Sequence, residues 1–217
     1  EISSAVDVTV AGQSQNNSDS GKILAGTTLG LTVARIINQA KGQLFSQNAT
    51  TLVGQTLDNS GGSFVSQQGL DIRLDNALSN IEGLISSEGK LTVNSASLDN
   101  TRGHVSSASA LTLTTTGSLN NQTGSIATDS GLILASKSLD NSQGGLISGK
   151  KATALTTGVF NNASGGSLVS GDTLTLNAGT LRVISTDYVA AVLESVAATS
   201  LGAGASTLRS LGASTGY

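Results

Sequence analysis

Few side chains in this sequence have the chemistry needed for catalysis. The chain has no cysteine, which excludes a thiol nucleophile, a thiolate metal site and a disulfide. The single histidine, His104, lies between Gly103 and Val105. A histidine that acts as a general base needs a nucleophile beside it, and no such serine pattern accompanies His104. We therefore expect His104 to fill a variable position of a structural repeat.

The pair Asp71 and Arg73 is the second candidate. Alternation of period two places both side chains on one outer face, where they are either solvated surface or contacts for a bound glycan. Glu82 and Glu88 are scattered near turns, whereas a polysaccharide-degrading enzyme needs clustered carboxylates, often with Ca²⁺. The sequence thus predicts a possible binding surface at Asp71 and Arg73, and no catalytic residue, metal or cofactor.

Composition excludes several classes of protein. The 217 residues carry a net charge of −3 with only 11 basic residues, so a nucleic-acid partner is not expected. No run of about 18 apolar residues exists, so we expect no membrane insertion. A hydrophobic content of 37% with low net charge argues against disorder.

An internal repeat organises the chain. A triplet of an apolar residue, a variable residue and asparagine recurs, and successive asparagines are separated by 21, 21, 20, 21, 20 and 21 residues. These asparagines are Asn38, Asn59, Asn80, Asn100, Asn121, Asn141 and Asn162. We expect their amides to form a hydrogen-bonded ladder along one corner of a stack.

Each repeat also contains stretches with a period of two, which indicate strands. After a glycine comes an apolar residue followed by a small one, as in Phe45-Ser46, Val65-Ser66 and Val169-Ser170, and then an alternating stretch such as 91–93. One such unit cannot bury its apolar face alone, but stacked copies can. The sequence predicts an all-β parallel β-helix with 20–21 residues per turn. A leucine-rich repeat is the alternative, although Ser, Thr and Gly fill the positions where it needs helix formers.

The two ends depart from this pattern. Residues 1–35 are an irregular start or early turns, residues 36–181 are the repeat region, and residues 182–217 form a tail rich in Ala, Gly and Ser. Asp187 can cap a short helix with Val192 and Leu193 on one face, which would cover the open end of the stack. The alternatives for this tail are a linker or a junction within a longer chain.

The repeated unit resembles the filamentous-haemagglutinin repeats of two-partner secretion exoproteins, which include bacterial adhesins and the stalks of contact-dependent growth inhibition proteins. The matching stretches are 57–66, 98–106, 139–148 and 168–176, and the resemblance covers about residues 36–181. It implies a right-handed β-helix that is exported unfolded through an outer-membrane transporter and folds at the cell surface.

From these features we expect a rigid, non-enzymatic shaft segment of a secreted or surface-exposed filament, which presents other domains away from the cell. Its partners would be the transporter during secretion and a host-cell receptor or glycan, and the segment itself would be monomeric. An adhesive face is the alternative function, and a polysaccharide-degrading enzyme is a more remote one.

Overall fold

The computed structural model describes residues 1–183, 192–195 and 199–201, and in this part the regular structure is entirely β-strand. The strands are β1 (Ile2–Ser4), β2 (Val8–Asn16), β3 (Lys22–Ala25), β4 (Leu29–Ile37), β5 (Gln43–Ser46), β6 (Thr50–Gly54), β7 (Thr56–Asp58), β8 (Ser63–Ser66), β9 (Leu70–Leu74), β10 (Ala77–Ser79), β11 (Leu84–Ser87), β12 (Leu91–Ser95), β13 (Ser97–Asp99), β14 (His104–Ser107), β15 (Leu111–Thr115), β16 (Ser118–Asn120), β17 (Ser125–Thr128), β18 (Leu132–Asp140), β19 (Leu146–Gly149), β20 (Thr153–Asn161), β21 (Ser167–Ser170), β22 (Leu174–Arg182), β23 (Val192–Ser195) and β24 (Thr199–Leu201).

All pairings between these strands are parallel, and each joins equivalent segments one coil apart. The first sheet has ten strands, from β1 through β3 and β5 to β21 and β23. The second sheet has 14 strands and covers the other two sides of each coil. In some coils one nine-residue strand, such as β20, spans both sides, and in others two short strands share them, as β12 and β13 do. The molecule is therefore a three-sided β-solenoid, as the repeat predicts.

One column of aliphatic and aromatic side chains fills the interior. On the first sheet the same inward position of successive coils is filled by the buried residues Ile23, Leu44, Phe64, Ile85, Val105, Ile126, Ile147 and Leu168. Phe45, Val65 and Val169, the apolar members of the pairs that recur in the sequence, are only half-buried and lie on the outer face. Their neighbours Leu44, Phe64 and Leu168 occupy the core instead.

Coils of 20 and 21 residues differ at two defined places. In some coils three residues lie between the ladder asparagine and the following glycine, and two of them have left-handed backbone, as at Ala40 (φ 48) and Lys41 (φ 66). In the other coils only two residues lie between them and one of these is left-handed, such as Thr123 (φ 56). Two of these shorter corners are compensated by an extra residue elsewhere: two residues link β9 to β10 and β15 to β16, whereas Ala96 alone links β12 to β13.

The stack continues beyond Leu181, where we expected the repeat to end. In place of the helix expected to present Val192 and Leu193, strand β23 pairs in parallel with β21 and strand β24 pairs with β22. Parallel pairing supplies hydrogen-bond partners to the backbone of this segment. This contribution is larger than the preference for a helix that the spacing of its apolar residues suggests. Asp187, the expected helix cap, lies outside the described residues.

A second buried column consists of hydroxyl side chains at the ends of six strands of the first sheet. Its members are Ser46, Ser66, Ser87, Ser107, Thr128 and Ser170. Each bonds to backbone carbonyls at the corner, as Ser170 Oγ does to Lys151 O at 2.8 Å and Thr173 O at 3.0 Å. Gly149 interrupts the column, and the nearby Thr153 Oγ1 is buried without a hydrogen-bond partner.

We expect Gly149→Ser to stabilise the protein by about 1 kcal/mol, because it supplies a partner for the orphan hydroxyl of Thr153. A Cβ at residue 149 would lie 2.5 Å from Thr153 Oγ1, so Thr153 must rotate. The equivalent pair of Ser46 and Thr50 shows the arrangement that results, with hydroxyl oxygens 2.6 Å apart. Urea denaturation measures the change. Thr153→Val, which removes the orphan hydroxyl, should also stabilise, and a loss of stability in both variants would contradict this account of the defect.

Candidate functional site

The most regular polar feature of the molecule is a ladder of buried asparagine amides along one corner. In each coil the side-chain Nδ2 donates to the Oδ1 of the asparagine in the next coil, and every one of these distances is 2.7 Å. The seven asparagines expected from the sequence occupy it and are fully buried. Asn17, which was not among them, donates to Asn38 and begins the ladder among the described residues.

Most ladder amides also hold two backbone turns in place. Asn100 Nδ2 lies 3.2 Å from the carbonyl oxygen of Gly103 in its own coil and 3.1 Å from that of Ser125 in the next coil. Its Oδ1 accepts from Asn80. One side chain thus links three successive coils, and because all the amides donate towards the C-terminal end, the ladder has one direction along the solenoid axis.

The glycine that follows each ladder asparagine is required by close packing of the corner. A Cβ at Gly103 would overlap the carbonyl oxygen of Asn80 in the preceding coil and would lie 2.6 Å from Asn100 Oδ1. Equivalent overlaps occur at Gly42, Gly62, Gly83, Gly124, Gly145 and Gly166. The glycine and the asparagine are therefore parts of the same corner.

Aspartates beside the ladder occur in every second coil of the central repeat. Ser79 lies between Asp58 and Asp99 in the stack and pairs in register with both. In the same way, Asp140 pairs in register with the neutral Asn161 of the next coil. The carboxylates accept hydrogen bonds within their own turns and from amides of adjacent coils, such as Gln39 Nε2 to Asp58 at 2.6 Å. Neutral residues in the intervening coils keep like charges two coils apart, or about 10 Å.

Of the surface residues singled out in the sequence, Asp71 and Arg73 lie together and His104 lies apart from them. Asp71 and Arg73 are on the outer side of β9 and form an ion pair with N–O distance 2.6 Å, which is exposed and contributes little to stability. His104 is exposed on β14, in register with Ser125 and Leu84. The structure does not bring His104 together with this ion pair, since they lie on different sheets.

Asp7 joins the first coil to the second. Its carboxylate accepts hydrogen bonds from the Thr27 hydroxyl, from Thr28 Oγ1 at 2.5 Å and from the Thr28 amide at 3.0 Å. These three donors, the Thr27 hydroxyl first, lower the pKa of Asp7 from 3.8 to about 2.

The contribution of Asp7 to stability should therefore depend on pH. Because the pKa is lower in the folded protein, the contribution is complete above the unfolded value of 3.8 and is lost as the pH falls towards about 2. We expect amide hydrogen exchange at Thr28 to be slower in the parent protein than in Asp7→Asn at pH 5, and the difference to shrink near pH 2. A difference that is the same at both pH values would contradict this assignment.

The described residues offer neither a metal centre nor a membrane-spanning helix. No group of three or more His, Asp or Glu side chains among them is arranged to hold a metal ion. Within the same part of the chain, no helix has the length and apolar character needed to cross a bilayer. The arrangement that these residues do build is a hydrogen-bonded stack of coils.

Comparison with known proteins gives one match. A family model described as "Haemagglutinin repeat" matches residues 5–82, 69–122 and 116–213, which together span nearly the whole chain. No curated protein and no solved structure matches the chain significantly.

Proposed function

The chain belongs to the haemagglutinin-repeat family, and on this premise we propose that it is a rigid shaft segment of a long secreted or surface-exposed bacterial filament. The family implies a shaft of the filamentous-haemagglutinin adhesin type. In this role the segment holds other domains away from the cell, and its own contribution is mechanical.

The observation that carries the proposal is the continuous ladder from Asn17 to Asn162. It runs parallel to the axis and coincides with strand pairing on every side of the coils. Bending or stretching the rod would break backbone and side-chain hydrogen bonds in several coils together, so the stack resists both. A strand spacing of about 4.8 Å gives the ten-stranded sheet a length of roughly 43 Å.

We further propose that the chain is exported through an outer-membrane transporter and reaches the cell surface, as expected for two-partner secretion. Family membership supports this proposal. We also propose that the segment is not an enzyme. Support comes from exposed carboxylates that pair with surface cations instead of clustering with one another, namely Glu82 with Arg102 at 2.7 Å and Asp129 with Lys150 at 2.7 Å.

An adhesive face is the second candidate, and it is supported by the adhesin character of the family. The outer face that carries Asp71 and Arg73 is the surface that we propose for a host receptor or glycan. Their mutual ion pair would have to open, or be recognised as a neutral unit, when such a ligand binds.

Removal of one coil tests the shaft. Deleting residues 80–99 brings Ser79 next to Asn100, which restores the ladder register. We expect this variant to fold and to be shorter by about 5 Å in small-angle scattering. Deletion of residues 80–89 alone is the matched control and should not fold, since it destroys the register.

A host-cell binding assay distinguishes the shaft function from the adhesive function. We expect neither the intact chain nor the coil-deletion variant to bind at high micromolar concentration. Saturable binding of the intact chain would contradict a purely mechanical shaft role. If Asp71→Asn or Arg73→Gln abolished that binding, the adhesive face would be established.

A further inference from the structure

A hollow on the outside of the solenoid departs from the regular repeat. It has a volume of about 270 Å³ and lies at the link between the second and third sides, where Ala96 is flanked by Asp75 and Thr116 of the neighbouring coils. Ala96 is the single residue that links β12 to β13, whereas the coils on both sides have two linking residues. An extra residue in a strand redirects its side chains, and here extra residues border the hollow on both sides.

The polar groups around this hollow lack partners in the described structure. The Asp75 carboxylate forms no ion pair or hydrogen bond there, although Asp58, Asp71, Asp99 and Asp140 all do. The side chains of Asn94, Thr114 and Thr116 line the same hollow and are likewise without a described partner. The carboxylate, the amide and the hydroxyls therefore remain available to one ligand.

From these groups we infer that the hollow between Asp75 and Thr116 is a binding site for a small hydroxylated primary amine, such as a hexosamine with a free ammonium group. Asp75 is the only ionisable residue that lines the hollow, and it is an acceptor. An ammonium group offers three donors and the opposite charge, while the Asn94, Thr114 and Thr116 side chains can bond to ligand hydroxyls. The hollow is large enough for one sugar ring.

The site adjoins the surface at Asp71 and Arg73, since Arg73 is the register partner of Asn94, but the Asp71 carboxylate is already neutralised by Arg73 and, of the two carboxylates, only that of Asp75 is unpaired among the described residues. Asp75 also borders a second hollow of about 410 Å³ that Gln13, Val53 and Gln55 line. An oligomer of such amines could therefore continue past Asp75 along the solenoid axis.

A titration of the intact chain tests this site. Backbone amide shifts are followed by NMR at about pH 6, where the amine is charged, with glucosamine and, at matched ionic strength, with glucose. We expect glucosamine to cause saturable shifts at Asp75, Ala96 and Thr116 with a dissociation constant in the millimolar range, as is usual for a ligand of this size. Glucose should bind at least about tenfold more weakly, since it lacks the charge.

Two isosteric variants distinguish specific binding at the hollow from nonspecific electrostatic attraction of the amine to an acidic protein. Asp75→Asn should abolish the preference for glucosamine, whereas Glu88→Gln, which removes an exposed carboxylate outside this hollow, should leave it unchanged. The inference is overturned by shifts that fail to saturate up to about 50 mM, by equal binding of glucose, or by equal effects of the two substitutions.

Discussion

Gly103→Ala is expected to lower the free energy of unfolding by about 3 kcal/mol or more, although it adds only one methyl group. The new Cβ would overlap the carbonyl oxygen of Asn80, which belongs to the backbone of the preceding coil and cannot move independently. It would also lie 2.6 Å from Asn100 Oδ1. The two coils would have to separate at this corner, which would weaken the ladder bonds on both sides.

Gly69→Ala is the matched control for this substitution. A Cβ at Gly69 would have one neighbour within 4 Å, the Lys90 carbonyl oxygen at 3.8 Å, an ordinary contact. Its effect on the urea midpoint should be small. If the two substitutions destabilise the protein equally, close packing at the corner is not the reason for the repeating glycine.

Asn100→Ala is expected to destabilise the protein by about 1–3 kcal/mol, because it leaves buried groups of adjacent coils without partners. The groups affected are the Oδ1 of Asn121 and the carbonyl oxygen of Ser125, which lose a donor, and the Nδ2 of Asn80, which loses an acceptor. Thermal and urea denaturation of the purified chain measure the loss.

Two further variants distinguish hydrogen bonding from packing at this position. Asn100→Asp has nearly the same shape, but it places a carboxylate oxygen against oxygens of Asn121, Gly103 and Ser125. It should therefore be more harmful than alanine at neutral pH. Asn177→Ala, at an exposed position of β22, is the control and should change stability little. An unaltered midpoint for both Asn100 variants would show that the ladder contributes nothing to stability.

The sequence predicts those features of the fold that depend on spacing alone. The recurring asparagine fixes the length of a coil, and alternation at Leu91, Val93 and their counterparts indicates strands whose inward side chains stack. Asn17 is missing from the predicted ladder because its triplet lacks the apolar first residue, yet a step of 21 residues back from Asn38 identifies it.

Other features depend on contacts between coils, which a single repeat does not contain. Leu44-Phe45 and Phe64-Val65 each present two apolar residues in succession, so alternation alone does not indicate which one is buried. The strand at Val192–Ser195 exists because β21 offers it a partner. The hollow at Asp75 arises from two linking residues in one coil next to one in another.

The coaxial stack itself is tested most directly by distances between coils. The chain has no cysteine, so pairs of introduced cysteines can carry spin labels at chosen sites. Lys22, His104 and Ser167 occupy the same register position of the first sheet. His104 lies four coils beyond Lys22, and Ser167 lies seven coils beyond it. At about 4.8 Å per step, the Lys22–His104 separation should be roughly 19 Å and the Lys22–Ser167 separation roughly 34 Å. We expect the two distances measured by pulsed electron paramagnetic resonance to rise in this proportion. Similar distances for both pairs would contradict the stack.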